Sequence, residues 1–237
     1  MALAVVHVGG TVTGVSAVVS DSWTSTAASL IVCVGQTFGS TGSPANGDIT
    51  DSKGNTYTLG TGFYGGAANV GIGIWYNNAG TRGAAHTCTY DPASGVQNIS
   101  VVEITGQDLT AAVYDSTTAA HLKDVDGLSP FNITAAAAIS GNQIAVYALA
   151  DASTNNFAWT QPSGYTNIIN QPNGGVGLVS DAAYKINETG TPTVGATNAE
   201  TSAQDVQVLF ATFKEAGAAA PEPTWTSLPR LGMASVG

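Results

Sequence analysis

Apolar and polar residues alternate along most of this chain, and the alternating stretches stop at Gly, Asn, Asp or Pro. A period of two places successive side chains on opposite faces of an extended backbone, so these stretches predict β-strands. They fall at 5–12, 30–36, 56–59, 70–76, 86–90 and 99–104, and again at 131–136, 143–149, 176–185, 193–197 and 206–214. Turn chemistry separates them: Gly54-Asn55, Asn77-Asn78-Ala79-Gly80, Asp91-Pro92, Ser140-Gly141-Asn142 and Pro172-Asn173-Gly174-Gly175. No long stretch keeps an apolar period of 3.6. The alanine run at 135–138 is short and flanked by Asn-Ile-Thr and Ile-Ser-Gly, so it too is read as extended. The pattern predicts an all-β fold, a jelly-roll-like or Ig-like sandwich, with under about a tenth of its residues helical.

The two halves of the chain resemble each other. Leu30-Ile-Val-Cys-Val34 corresponds to Ile144-Ala-Val-Tyr-Ala148, and Gly54-Asn-Thr-Tyr57 loosely to Ser163-Gly-Tyr-Thr166. Val70-Gly-Ile72 with Trp75-Tyr76 corresponds to Val176-Gly-Leu178 with Tyr184. His86-Thr-Cys-Thr89 then matches Pro192-Thr-Val-Gly195, and 99–104 matches 206–213. Offsets of roughly 105–115 residues point to a repeated strand unit, 30–105 and 143–214, inside one sandwich domain of residues 1–215. One sandwich is preferred to two because 106–142 carries its own apolar alternation and does not read as a linker.

Composition changes at Ala216. Residues 216–223 form an Ala/Pro hinge, and Pro221 and Pro223 lack the N–H that a sheet interior needs. The tail beyond carries Trp225, Leu228, Leu231, Met233 and Val236, too apolar for a free solvated end. An extended C-terminal arm at 216–237 is predicted, docking on a neighbouring subunit with Trp225, Leu228 and Leu231 as anchors.

Charge narrows the partners. Six Lys+Arg against 16 Asp+Glu give a net charge of −10, and charged residues make up only 9% of the chain. So few basic residues cannot line a track for phosphates, so no nucleic acid is expected. The first ten residues have no basic region and their apolar run stops at His7 and Gly9, which predicts neither a secretory leader nor a membrane span. Cys33 and Cys88, the only cysteines, are expected as buried free thiols, with a single bridge between neighbouring strands as the alternative.

Chemistry is sparse. No Gly-x-Ser-x-Gly elbow occurs, and His7, His86 and His121 stand in unrelated contexts, so no catalytic residue is predicted. Gly71 and Gly73 read as sites of close backbone packing rather than phosphate binding. Glu103 is odd, a carboxylate on the same strand face as Ile99 and Val101. Asp124-Val-Asp126-Gly127 and 48–55 gather hard oxygen ligands in turns but lack the further acids of a calcium loop, so no metal or cofactor is expected.

Three segments carry a resemblance: Ile49-Thr-Asp-Ser-Lys-Gly-Asn-Thr-Tyr-Thr58, Ile74-Trp-Tyr-Asn-Asn-Ala-Gly80 and Val101-Val-Glu-Ile-Thr-Gly106. Together they look like a β-sandwich domain of bacteriophage structural proteins, capsid-decorating or tail-associated, and of bacterial surface proteins. The resemblance covers about residues 10–215 and implies a non-enzymatic display or assembly module. The expectation is a virion structural protein, a capsid decoration (cement) subunit made in the host cytoplasm. Its partners would be capsid or other virion subunits, and it would form a homo-oligomer, a trimer by expectation, without membrane contact. The alternative is a tail-fibre or receptor-binding protein in which Trp23, Tyr64, Trp159 and Tyr165 form a platform for glycans.

Overall fold

The computed structural model describes residues 2–40, 42–65, 69–92, 94–109, 113–127, 130–152, 159–171, 177–197 and 204–216. These residues form no helix and fifteen strands, an all-β architecture. One five-stranded sheet runs in the order β1 (Ala4–Gly14), β8 (Val96–Thr105), β3 (Leu30–Phe38), β6 (Val70–Asn78), β5 (Thr58–Gly65). A second runs β12 (Thr166–Gln171), β13 (Val179–Gly190), β11 (Ile139–Asp151), β15 (Gln204–Lys214), β9 (Ala120–Gly127). Two small sheets complete the set, β2 (Val18–Val19), β7 (Cys88–Tyr90), β4 (Ile49–Asp51) and the pair β10 (Phe131–Thr134), β14 (Thr193–Ala196). Every ladder between these strands is antiparallel, and each lies within one half of the chain.

The layers follow from which side chains are apolar on which face. Leu30, Val32 and Val34 of β3 and Ile72 and Ile74 of β6 meet Ile144, Val146 and Ala148 of β11 and Leu209 and Phe213 of β15 in a shared core. The alternate residues of the first sheet, Ile31, Cys33, Trp75 and Val101, are covered by Val18, Ile49, Cys88 and Tyr90 of the three-stranded sheet. Those of the second, Tyr147, Leu149 and Phe210, are covered by Phe131, Ile133 and Val194 together with Trp159. Strands β3 and β11 are thus buried on both faces.

The two large sheets are wired alike. Val32 stands opposite Tyr76 and Val102 in its sheet, and Val146 stands opposite Tyr184 and Ala211 in the other. Reading β9, β15, β11, β13, β12 against β1, β8, β3, β6, β5 matches the two orders strand for strand. The bridge between Thr160 and Thr197 extends the small second cover past β14, as β4 does beside β7.

Polar side chains lock the two sheets at one end of the shared core. Gln36 Nε2 crosses from β3 to donate to the carbonyls of Leu149 at 2.7 Å and Asp181 at 3.1 Å. Asn98 Nδ2 of β8 donates to Ser180 Oγ of β13. All three bonds are buried, where a lost partner costs more than the bond contributes.

Strands β2, β4, β9 and β12 have no counterpart in the sequence pattern, and all four are sheet edges. An edge strand pairs on one side only and tolerates charge, as Ala120-His-Leu-Lys-Asp-Val-Asp-Gly127 does. The alanine run is a correction: residues 135–138 are not strand but bend between β10 and β11, where Ala135 N donates to Pro192 O at 3.0 Å.

Gly73 and its partner Gly35 make room for an indole. A Cβ on Gly35 would lie 2.8 Å from the Tyr90 ring and 2.9 Å from Trp75, and one on Gly73 would run into Trp75. Trp75 therefore lies across two bare backbone positions, with its Nε1 donating to Ala45 O at 2.8 Å. Gly35→Val should lower unfolding free energy by about 2–3 kcal/mol in urea denaturation, because rigid rings cannot yield. Gly47→Ala, whose added methyl meets open space, should leave the midpoint unchanged.

Asp181 adds a pH dependence. Its side chain is fully buried, Oδ1 accepts from Gln161 at 3.0 Å, and Oδ2 has no hydrogen-bond partner. Burial pushes this carboxyl up to about 7 from an ordinary 3.8. The folded chain then holds a proton that the unfolded chain releases, so the stabilising contribution is full below pH about 4 and is lost as pH rises through about 7. Thermal melts across that window should show falling Tm, and Asp181→Asn should flatten the trend.

Candidate functional site

Two places in the structure concentrate chemistry, one sealed and one open. The sealed one begins at Asp51, at the end of β4. Asp51 Oδ1 accepts from the backbone N–H groups of Lys53 at 3.0 Å and Asn55 at 2.9 Å, which folds 51–55 into a tight turn with Gly54 at φ +74. Oδ2 accepts from Asn55 Nδ2 at 2.7 Å, from Tyr57 Oη at 3.1 Å and from His86 Nε2 at 2.9 Å. Burial opposes ionisation of Asp51, but the bonds from Asn55, His86 and Lys53 outweigh it and hold the carboxyl below its usual range. Both oxygens are therefore spoken for within the protein.

Ser25 Oγ lies 2.7 Å from the other ring nitrogen of His86, so Ser25, His86 and Asp51 form a hydrogen-bonded chain in the order of a hydrolytic triad. The surroundings differ from a nucleophilic site. Ser25 is 6% exposed and His86 wholly buried, and Ser25 Oγ accepts from Gly83 N at 2.9 Å. Trp23 stacks on His86 with centroids 4.7 Å apart and on His7 at 4.6 Å from its other face. Substrate attack needs a nucleophile open to solvent, and both Ser25 and His86 are buried. Burial disfavours a charged His86, yet hydrogen bonds with Cys88 and Asp51 raise its pKa above the ordinary value.

Glu103, the carboxylate that looked out of place on β8, anchors the same loop. It is 1% exposed, with Oε2 accepting from Trp23 Nε1 at 2.9 Å and Oε1 from Thr26 N at 2.5 Å. Among the described residues no group of three or more His, Cys, Asp or Glu is arranged to hold a metal ion. The side chains of Asp124 and Asp126 lie outside the described residues.

The open place is a hollow of about 430 Å³ at one end of the sandwich. Ala27, Ala28, Thr105, Gly106, Leu109 and Ala216 line it, and Leu109 is 57% exposed. Its floor is fixed by the loop that Glu103 holds and by Gln107, whose Nε2 donates to Ala28 O at 2.8 Å. Ala216 is the last described residue before the predicted arm, and its N–H donates to Gly106 O at 2.8 Å. On its other side Ala216 borders a second hollow of about 430 Å³, a polar one with Asp108, Ser140, Asn142, Lys214 and Glu215. Ala216, the last described residue, is thus pinned between an apolar and a polar recess.

Of the residues singled out in the sequence, Trp225, Leu228 and Leu231 lie outside the described residues, as does everything beyond 216. Trp23 at 8% and Trp159 at 3% exposure are core residues, which corrects their reading as an exposed platform. Tyr64 and Tyr165 are half-buried, bonded through their hydroxyls to Ser40 O and Glu188 respectively. The chain matches no protein-family model, no curated protein and no solved structure.

Glu103→Gln tests the anchor. An amide can accept one of the two N–H bonds but turns a donor towards the other, so the variant should lose about 2–3 kcal/mol in chemical denaturation. Trp23 fluorescence should shift in step with that loss.

Proposed function

We propose that this chain is a non-enzymatic virion structural protein, a capsid decoration subunit of the kind its three sequence motifs resemble, attached to neighbouring subunits through its C-terminal arm. The observation that carries this reading is the apolar hollow beside the arm's pinned root. Its lining is short and uncharged, suited to an inserted aromatic or leucine side chain. Trp225 stands nine residues beyond Ala216, so extended chain can carry it up to about 30 Å. The occupant is the arm of a second copy, with Trp225, Leu228 and Leu231 as the inserted side chains, and the resulting homo-oligomer is the unit presented on the shell.

The burial of the polar cluster supports a role without turnover, since Ser25, His86 and Asp51 hold a loop rather than face solvent. A net charge of −10 suits an outward-facing shell protein, adding solubility without attracting nucleic acid. Glycan binding loses half of its aromatic platform with Trp23 and Trp159 in the core.

Removing residues 221–237 should leave Tm nearly unchanged while self-association in sedimentation and attachment to particles fall sharply. Leu109→Asp, on an exposed position, should do the same with the arm intact. Normal assembly of both variants would end this reading. So would turnover of an ester or glycan substrate that disappears when His86 is replaced.

A further inference from the structure

Cys33 and Cys88 meet between two layers. Cys33 lies on β3, the central strand of the first large sheet, with its side chain on the outer face beside Trp75. Cys88 lies on β7, the central strand of the cover laid over that face. Both are free and fully buried in one cluster between the two layers, close enough that each thiol shifts the titration of the other. Tyr57 Oη is 3.3 Å from Cys88 Sγ, and His86, two residues before Cys88, is held by Asp51 at 2.9 Å. A buried pair of plain hydrophobic cysteines needs none of these polar neighbours.

We propose that Cys33 and Cys88 are a redox pair that closes to a disulfide on reaction with hydrogen peroxide, stapling the three-stranded cover to the sheet beneath it. The two sulfurs are not equivalent. At Cys88 the polar neighbours Cys33, His86 and Tyr57 outweigh burial and favour the thiolate, whereas burial pushes Cys33 up. Cys88 is the attacking sulfur, and the proton its thiol gives up is the one the leaving hydroxide takes. The Cys88 thiolate attacks one peroxide oxygen, the O–O bond breaks, and the leaving hydroxide takes a proton to become water. Cys88 is then a sulfenic acid. The Cys33 sulfur attacks the Cys88 sulfur, the S–O bond breaks, and a second water leaves with the Cys33 proton. Two thiols are oxidised and one peroxide is reduced to two waters. A small oxidant suits the site, because both sulfurs lie at zero exposure and a bulky disulfide reagent has no approach.

The test uses the full chain. Protein kept under reductant, or treated with peroxide while folded, is unfolded in the presence of a maleimide and weighed by intact mass spectrometry. Reduced protein should take two maleimides; oxidised protein should take none and be lighter by two hydrogens. Closing a loop of this size should raise Tm by about 8 °C in a chain of this length. With Cys33→Ala, dimedone present as the peroxide-treated chain is unfolded should trap the sulfenic acid at Cys88, and with Cys88→Ala no adduct should form at Cys33. Should either variant fail to fold, the wild-type masses still decide. Two maleimides after peroxide, disulfide-linked dimers, or an oxidised Tm no higher than the reduced one would overturn the proposal.

Discussion

The contact on which the rest depends is the face-to-face packing of two five-stranded sheets, each of which is covered again on its outer side. A strand in such a sheet has no solvent face, so it is apolar at most positions and any polar side chain on it needs a partner inside. That is what Leu30-Ile-Val-Cys-Val34 and Ile144-Ala-Val-Tyr-Ala148 provide, and their backbones are satisfied by ladders on both sides. The constraint also explains the small share of charge. A chain with so much doubly buried strand has few places for a carboxylate, and those inside are each accommodated separately. Asp51 and Glu103 gather N–H and O–H donors, while Asp181, with one oxygen unpartnered, is held toward the neutral form.

The halves share one ladder pattern and cover it differently. By the pairings of Val32 and Val146, Cys33 and Tyr147 occupy equivalent places facing outward from their sheets. Over Tyr147 the cover is apolar, with Phe131 set edge-on to Trp159 at 5.6 Å. Over Cys33 it is a polar lock of Asp51, His86, Ser25 and Glu103, with the stacked rings of His7, Trp23 and His86 as its lid. An apolar cover is tolerant of sliding, because hydrophobic contact has no direction. A lock of buried hydrogen bonds holds one register, because any shift leaves donors and acceptors unmet.

Much of the fold was legible because period-two alternation and turn residues are local signals. The strands with ladders on both sides were found, and the glycines inside β6 were read as room for close packing, as the Trp75 ring over Gly73 bears out. Edge strands such as β9 and β12 escaped because one-sided pairing imposes a looser pattern. The polar cluster was invisible for a different reason. Ser25 and His86 are 61 residues apart and His86 and Asp51 are 35 apart, so only the crossing of strands brings them together. The single usable signal was Glu103, a carboxylate on an apolar face, which told of a buried acceptor without telling what it accepts from.

Covering both faces of both sheets leaves the ends of the sandwich as the places where a partner can enter. At one end the described chain finishes with Glu215, whose N–H donates to Asn142 O at 3.1 Å, and Ala216, whose N–H donates to Gly106 O at 2.8 Å. Asn142 belongs to the second sheet and Gly106 follows β8 of the first, so the exit is tied to both halves at once. A pull on whatever follows residue 216 is shared between two ladders and, through Gly106, with the loop that Glu103 secures. Force directed along paired strands must break several hydrogen bonds together, whereas a tail hung from one loop peels them singly. Glu215 and Ala216 are built as a load point should be, joined to both halves of the sandwich at the end of the described chain.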